Sequence, residues 1–302
     1  MRDRLAIVIV SYEAREHLAR CLRSIAKNAP PFPVSVIVVD NASRDGSPEM
    51  VRSEFPDVTL IANQENRGFG PACNQGWRAS DSDHVLLLNS DTEVLPGSLE
   101  GMVNALDARP RSGVLTPLVV DGRGEVIQMS WGWEPLFWGE ILQKTFSPRA
   151  LERSRWRRAL VRRLQRRECR AAILCGAALL VRREALEQVG GMDEGYVFYL
   201  EDSDLCTRLR KAGWLATFHP GESIVHHLGK SSASQPARAA LLFHQSQLLY
   251  YRRHGSALDR LLVGIYLRLR FWRAYLPTRE LEAREFHRKL RGVLAGRERI
   301  AL

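Results

Sequence analysis

The run Leu5-Ala6-Ile7-Val8-Ile9-Val10 constrains this chain more than any other feature. It has no polar alternation, so it cannot be a strand with one wet face, and it matches a strand buried on both faces of a parallel sheet. Leu18, Cys21, Leu22 and Ile25 then recur at helical spacing, and Pro30, Pro31 and Pro33 close that helix before a second apolar run from Val34 to Val39. Together they make a β-α-β unit.

The alternation continues with a helix near 48–55, a strand at 58–62, a helix around 71–79, a strand at 84–88, a helix near 97–108 and a strand at 113–120. Interleaving of this kind predicts an α/β fold, a mostly parallel central sheet with flanking helices, in which ligands lie at the carboxyl ends of the strands. Asp121-Gly122-Arg123-Gly124 is a turn, and residues 131–170 break the rhythm as a basic insertion. A strand over 171–181, a short helix, a loop at 190–199, a helix over 201–212 and a strand near 214–218 follow. The expected division is a catalytic domain over 1–238 and a basic helical C-terminal extension over 239–302.

Charge sharpens that division. The net charge is +10, yet ten arginines against Glu152 and Glu168 fall between Arg149 and Arg170, and thirteen Lys and Arg against five acids fall between Arg252 and Leu302. Outside those two segments the chain is net acidic. Nucleic-acid binding, the reading a basic chain first invites, explains neither that acidity nor the acids at strand ends. Leu258, Leu261, Leu262, Ile265, Leu269 and Trp272 recur among arginines in the tail, a pattern compatible with an anionic membrane surface or with a solvated basic face. No run approaches the ~20 apolar residues of a membrane span, and the N-terminus lacks a signal-peptide core, so the expected location is cytoplasmic, with peripheral attachment to the inner face of the cell membrane as an extension of it. Five cysteines without a CxxC pair suit reduced thiols and predict no structural zinc.

Four patches carry chemistry. Asp40-Asn41 ends the second strand, where a carboxylate can accept a pyrimidine N–H or simply close an Asx turn. The glycine-rich stretch from Asn63 to Gly76 leads into a helix and can bring backbone N–H groups to phosphate, or be a structural turn. Asn89-Ser90-Asp91 ends an apolar strand. Its carboxylate suits Mg2+ or Mn2+, which leave positions for water and diphosphate; the plain alternative is a cap. Glu201 and Asp202 open a helix whose dipole favours the ionised form that a general base needs. His226-His227 follows a strand, so one imidazole points toward the site as an additional Mn2+ ligand and the other away.

In this order the patches resemble family-2 glycosyltransferases, and among them the bacterial rhamnosyltransferase-like branch. The resemblance covers about Leu5 to Ser231 and is most specific from Cys175-Gly176-Ala177 through Glu201-Asp202-Ser203-Asp204-Leu205-Cys206 to Arg208. It implies a GT-A nucleotide-diphospho-sugar transferase fold and an inverting transfer from a nucleotide-sugar, dTDP-rhamnose or a UDP-sugar, to a glycan or lipid-linked acceptor in cell-surface polysaccharide synthesis. Ser11, Tyr12 and Glu13 would line the nucleotide pocket, Asp40 would bind the base with Asn41 beside it, and Asn66, Gly68 and Asn74 would border the donor. Asn89, Ser90 and Asp91 would form the DxD-like motif, with Asp91 on the divalent ion. His226, favoured over His227 by its spacing to Ser231, would complete the metal shell. Asp202 would be the base, with Glu201 at its side. One departure is that Asn89 occupies the first acidic position, leaving Asp91 as the single carboxylate. A non-catalytic sugar-nucleotide-binding relative is the alternative within this fold.

Overall fold

In the computed structural model the N-terminal run becomes β1 (Asp3–Ser11), followed by α1 (Arg15–Lys27), β2 (Val34–Asp40), α2 (Ser47–Glu54), β3 (Thr59–Ala62), α3 (Phe69–Arg78), β4 (Ser82–Asn89), β5 (Thr92–Val94), α4 (Ser98–Asp107) and β6 (Ser112–Val120). Then come β7 (Cys169–Arg170), β8 (Ala178–Arg182), α5 (Arg183–Gln188), α6 (Glu201–Lys211), β9 (Leu215–His226), α7 (Pro236–His254) and α8 (Ala257–Tyr275). The structure describes residues 3–127, 136, 139, 167–196, 199–227, 236–275, 288 and 292. The arginine-rich stretch over 149–166, most of the expected insertion and the end of the tail lie outside them.

The strands form one sheet in the order β3-β2-β1-β4-β8-β6-β9-β5, with β7 also paired to β9. β3, β2, β1 and β4 run parallel, and β8 enters antiparallel to both β4 and β6. Strand order reverses at β1, which has β2 on one side and β4 on the other. This is the switch point outside which α/β sheets bind ligands.

β1 shows why its sequence needs no polar face. Leu5, Ile7 and Ile9 pack with residues of α1, α2 and α4, whereas Ala6 and Val8 pack with residues of α3, α5 and α6. Helices thus cover both faces, as a buried parallel strand requires. A third cluster, Leu241, Tyr251, Val263 and Leu267, joins α7 to α8, and Leu136 packs against it. Ser256 and Asp259 bond reciprocally at the start of α8, a capping arrangement that sets the turn between the two helices.

Three expectations need correction. The strand read over 171–181 begins only at Ala178, as β8; residues 171–177 are not strand, and the two-residue β7 lies ahead of them. β9 runs to His226 and not just to 218: His219 pairs with Pro117 and Ser223 with Leu118, so residues 220–222 bulge out before the ladder resumes. β5 was not anticipated, because three residues are too few to show a period.

Candidate active site

The first group, expected to face the donor, is built where β1 and β2 end together, with Ser11 and Asp40 in register. Both are buried. Asp40 Oδ2 accepts the Ser43 backbone N–H at 2.9 Å, which makes the Asx turn, while Asp40 Oδ1 and Ser11 Oγ are buried without a hydrogen-bond partner among the described residues. Unpaired buried oxygens are costly and rare, and two of them at the switch point leave capacity for a ligand. Asn41 is fixed by donating to Gly68 O (3.1 Å) and accepting from Asn63 Nδ2 (3.0 Å), and Asn66 Oδ1 accepts the Gly68 N–H (3.0 Å). Gly68, at φ 91°, takes a conformation no side chain favours and turns the chain into α3. Glu13 is exposed and braces the rim, accepting Arg44 N–H and donating its own N–H to Ser43 Oγ; Tyr12 is 51% exposed above it.

The second group sits where β4 ends and β5 begins. β5 lies antiparallel on the end of β9, pairing Thr92 with His226. His226 Nε2 lies 3.0 Å from Asp91 Oδ1, and His226 Nδ1 is buried without a hydrogen-bond partner among the described residues. His227 points the other way, to Glu93 Oε1 at 2.6 Å, while its backbone N–H donates to Asp91 O. Asn89 uses its backbone here: its N–H donates to Ala177 O, and its carbonyl accepts the Thr92 hydroxyl. Asn89 and Ser90 are half-buried beside Asp91.

The donor chemistry of this pair suits a divalent cation. Among the described residues no three His, Cys, Asp or Glu side chains converge on one point, so the protein would offer two ligands. A carboxylate and an imidazole 3.0 Å apart match neighbouring positions around an octahedral ion with bonds of about 2.1 Å, and leave the remaining positions for diphosphate and water. The residues fit Mn2+ or Mg2+.

The third group is the start of α6. Asp202 Oδ1 accepts Ser203 N–H (2.6 Å) and Ser203 Oγ–H (3.1 Å), and the Gly176 backbone N–H also bonds to its carboxylate. A β-carbon at Gly176 would lie 2.7 Å from Asp202 Oδ2, so only glycine leaves the carboxylate this room. Glu201 Oε2 is buried without a partner among the described residues. Burial, then the charge of Asp202, pushes the Glu201 carboxyl up; burial likewise pushes Asp202 up, opposed by the Ser203 and Gly176 hydrogen bonds. The helix-dipole expectation of a readily ionised pair is therefore overruled by desolvation and like charge.

What the sequence did not reveal is how this turn is held. Asn74, expected to border the donor, instead spends its amide inside the protein. Nδ2 donates to Met192 O (2.8 Å) and Glu194 Oε1 (2.9 Å), and Oδ1 accepts Met192 N–H (2.8 Å) and Trp77 Nε1–H (3.0 Å). It clamps the loop before α6 onto α3. From the other side α7 ties in: Asp204, fully buried, accepts His254 Nε2 (2.7 Å), Arg208 Nε (2.6 Å) and the Tyr196 hydroxyl (3.2 Å). Burial opposes its ionisation, but the His254 hydrogen bond and Arg208 hold its carboxyl below the usual range. Thr207 and Tyr250 share a 2.7 Å hydroxyl bond, and Arg253 pairs with Asp193. The pairs Asn74–Trp77, Asp204–Arg208 and Tyr196–Asp204 are local; the others join residues 43 to 120 positions apart.

Among the described residues the non-glycine positions with positive φ are Glu13, Ala42, Tyr199 and Leu200. Two flank the donor pocket and two immediately precede Glu201. Backbone strain of about 1–2 kcal/mol each is thus concentrated at the site.

Comparison with known proteins follows the same map. A model of glycosyl transferase family 2 matches residues 6–190, and one for an N-terminal domain of galactosyltransferase matches 159–229. Over 263 residues the chain is 36% identical to the N-acetylglucosaminyl-diphospho-decaprenol L-rhamnosyltransferase of Mycobacterium tuberculosis, covering 83% of this chain and 84% of that protein. The succinoglycan biosynthesis protein ExoO of Rhizobium meliloti is 34% identical over 105 residues, 34% of this chain and 30% of its own. Among solved structures, a mannosyltransferase from Pyrobaculum calidifontis in complex with GDP-Man and Mn2+ aligns over 99% of this chain and 77% of its own, with TM-score 0.57 and 20% identity. S. aureus TarS 1–349 in complex with UDP aligns over 96% and 80%, with TM-score 0.56 and 16% identity. Sheet order, acids at the switch point and these likenesses define a GT-A glycosyltransferase. The chain belongs to glycosyl transferase family 2.

Proposed function

We propose that the chain transfers rhamnose from dTDP-rhamnose to a hydroxyl of an N-acetylglucosaminyl diphosphate carried on a polyprenol, with inversion at the anomeric carbon. The observation that carries this reading is the 36% identity to the mycobacterial rhamnosyltransferase over 83% of the chain. Residues 1–238 would be the catalytic unit and 239–302 an extension bracing its acceptor side, at work on the cytoplasmic face of a membrane.

Asp40 Oδ1 and Ser11 Oγ would receive the donor's pyrimidine and sugar hydroxyls; the base N–H donates to the carboxylate, an acceptor already aimed and desolvated. Asn41, Asn66 and Gly68 shape that pocket through their bonds to one another. Asp91 and His226 would hold Mg2+ or Mn2+ beside Asn89 and Ser90. A bound divalent ion supplies neutralisation of the charge that develops on the leaving nucleoside diphosphate. Asp202 takes the proton of the acceptor hydroxyl as its oxygen bonds to the anomeric carbon and the bond to the diphosphate oxygen breaks. Burial raises the proton affinity of Asp202, and Glu201, whose own carboxyl is pushed up by burial and then by the charge of Asp202, stands beside it.

Thermal-shift screening of the purified chain against dTDP-rhamnose, UDP-glucose, UDP-N-acetylglucosamine and GDP-mannose, with and without Mn2+ or Mg2+, tests this, since a ligand of the folded state raises its stability. Metal-dependent stabilisation is expected with dTDP-rhamnose. Stabilisation by a different donor would replace the proposed substrate, and a dTDP-rhamnose shift indifferent to metal and EDTA would remove the roles given to Asp91 and His226.

A further inference from the structure

Among the described residues, the large hydrophobic side chains left exposed are Tyr12, Tyr199, Leu258, Leu261, Ile265 and Leu269. Tyr12 and Tyr199 flank the active site. The other four lie on α8, three and then four residues apart, and so form a single stripe along the helix. The core-facing side of α8 is already used: Val263 and Leu267 are buried against Leu241 and Tyr251 of α7. The stripe is a second apolar face, exposed among the described residues.

The charges around that face have one sign. Residues 236–275 hold seven arginines and a single acid, Asp259, whose carboxylate is taken up by Ser256 at the start of the helix. Arg260 and Arg268 are exposed next to the stripe. With Asp259, Arg260, Arg268, Arg270 and Arg273 along its 19 residues, α8 is not apolar enough to cross a bilayer, and no helix among the described residues is. An aliphatic stripe bordered by arginines is complementary to an anionic lipid surface, where the leucines enter the acyl boundary and the guanidinium groups stay with the phosphates. α7 links this face to the chemistry: His254 and Tyr250 bond to Asp204 and Thr207 of α6, the helix that begins with Glu201 and Asp202.

We propose that the outer face of α8, through Leu258, Leu261, Ile265 and Leu269, docks the protein on the surface of an anionic phospholipid bilayer. Docking there brings the acceptor side of the site to a substrate held in that bilayer. The purpose of the docking rests on the lipid-linked acceptor proposed above; the docking itself does not, and it is measured without donor or acceptor.

The test is flotation of the full chain with vesicles of phosphatidylcholine alone or mixed with phosphatidylglycerol, at low and high salt. Wild type is expected to float with the anionic vesicles and to be partly released by salt. Leu261→Glu combined with Ile265→Glu, both exposed positions, should lower the bound fraction about tenfold or more at unchanged melting temperature. Arg260→Ala and Arg268→Ala should each lower it about fivefold on anionic vesicles alone. Transfer to a short-chain, water-soluble acceptor should be unaffected in the double variant, while transfer to an acceptor embedded in vesicles falls. Failure of wild type to float, or equal flotation of the double variant, overturns the proposal. So does light scattering that shows a dimer which the same two substitutions dissociate, since a second copy would then own the stripe.

Discussion

The two halves of the site are made in opposite ways. The donor half is assembled from strand ends: Ser11 and Asp40 stand side by side because β1 and β2 are adjacent and parallel, and Asp40 is oriented by a turn three residues long. The acceptor half has no such local frame. Glu201 and Asp202 open a helix held by an asparagine 118 residues from the loop it clamps and by a histidine 50 residues from the acid it meets. One half is a property of the sheet; the other is a property of packing around it. Substitutions should therefore separate them cleanly, binding on one side and turnover on the other.

The largest expected effect is at the proton acceptor. Asp202→Asn should lower kcat about 10²–10⁴-fold with dTDP-rhamnose affinity nearly intact, measured by steady-state kinetics and calorimetric donor titration. Unchanged turnover would remove Asp202 from its role. Asp40→Asn should do the reverse, raising the donor KM about tenfold to a hundredfold through loss of one charge-assisted hydrogen bond, with kcat little changed. If both variants altered the same parameter, the two halves would not be separable as described.

Next in size is the clamp. Asn74→Leu removes three hydrogen bonds between α3 and the loop before α6 and one within α3, and should cost about 2–4 kcal/mol of stability, read as a fall in melting temperature. Because the loop leads into Glu201, acceptor KM should rise in this variant more than donor KM does. A selective rise in donor KM would return Asn74 to the donor border where the sequence first placed it.

The smallest effect lies along the pH axis. In the folded chain Glu201 and Asp202 keep their protons to higher pH than in the unfolded chain. Between the ordinary carboxylate range and those raised values the native state binds more protons than the unfolded one, so stability falls as pH rises through that window. Below the window the pair carries no penalty, and above it the penalty is complete. Glu201→Gln deletes one of the two titrating groups, the one whose carboxyl is pushed up to about 8. It should flatten that fall in melting temperature while leaving the ascending limb of kcat/KM, which belongs to Asp202, in place. A limb that moves would show that Glu201 titrates with the base.

The unequal construction also explains what could be read from the sequence. Continuous apolar runs ending in acids revealed the α/β alternation, the switch point and the family, since each signal lies within a few neighbouring residues. The position of Asp91 was equally local. β5 was invisible because Thr92-Glu93-Val94 has no period of its own; it is a strand only because β9 passes beside it. The first part of the strand predicted over 171–181 failed for a related reason, as Gly176 within it is shaped by Asp202, twenty-six positions further on. The bonds that occupy the Asn74 amide were not legible either, because a glycine-rich loop advertises closeness to something without naming it. The bonds of His254 had no sequence signal at all.

The bulge in β9 has a consequence for how this family member tolerates change in length. Beyond it, Ser223 to His226 are held in a ladder whose side chains alternate, so His226 meets Asp91 while His227 meets Glu93. A single residue deleted between 223 and 226 would hand Asp91 the wrong imidazole, His227, and a single one inserted would leave it none. Residues 220–222 already stand outside the ladder, so a length change there would be absorbed as a larger or smaller loop. Within a dozen positions of one strand, the chain carries both a place where its length is free to drift and a place where it is not.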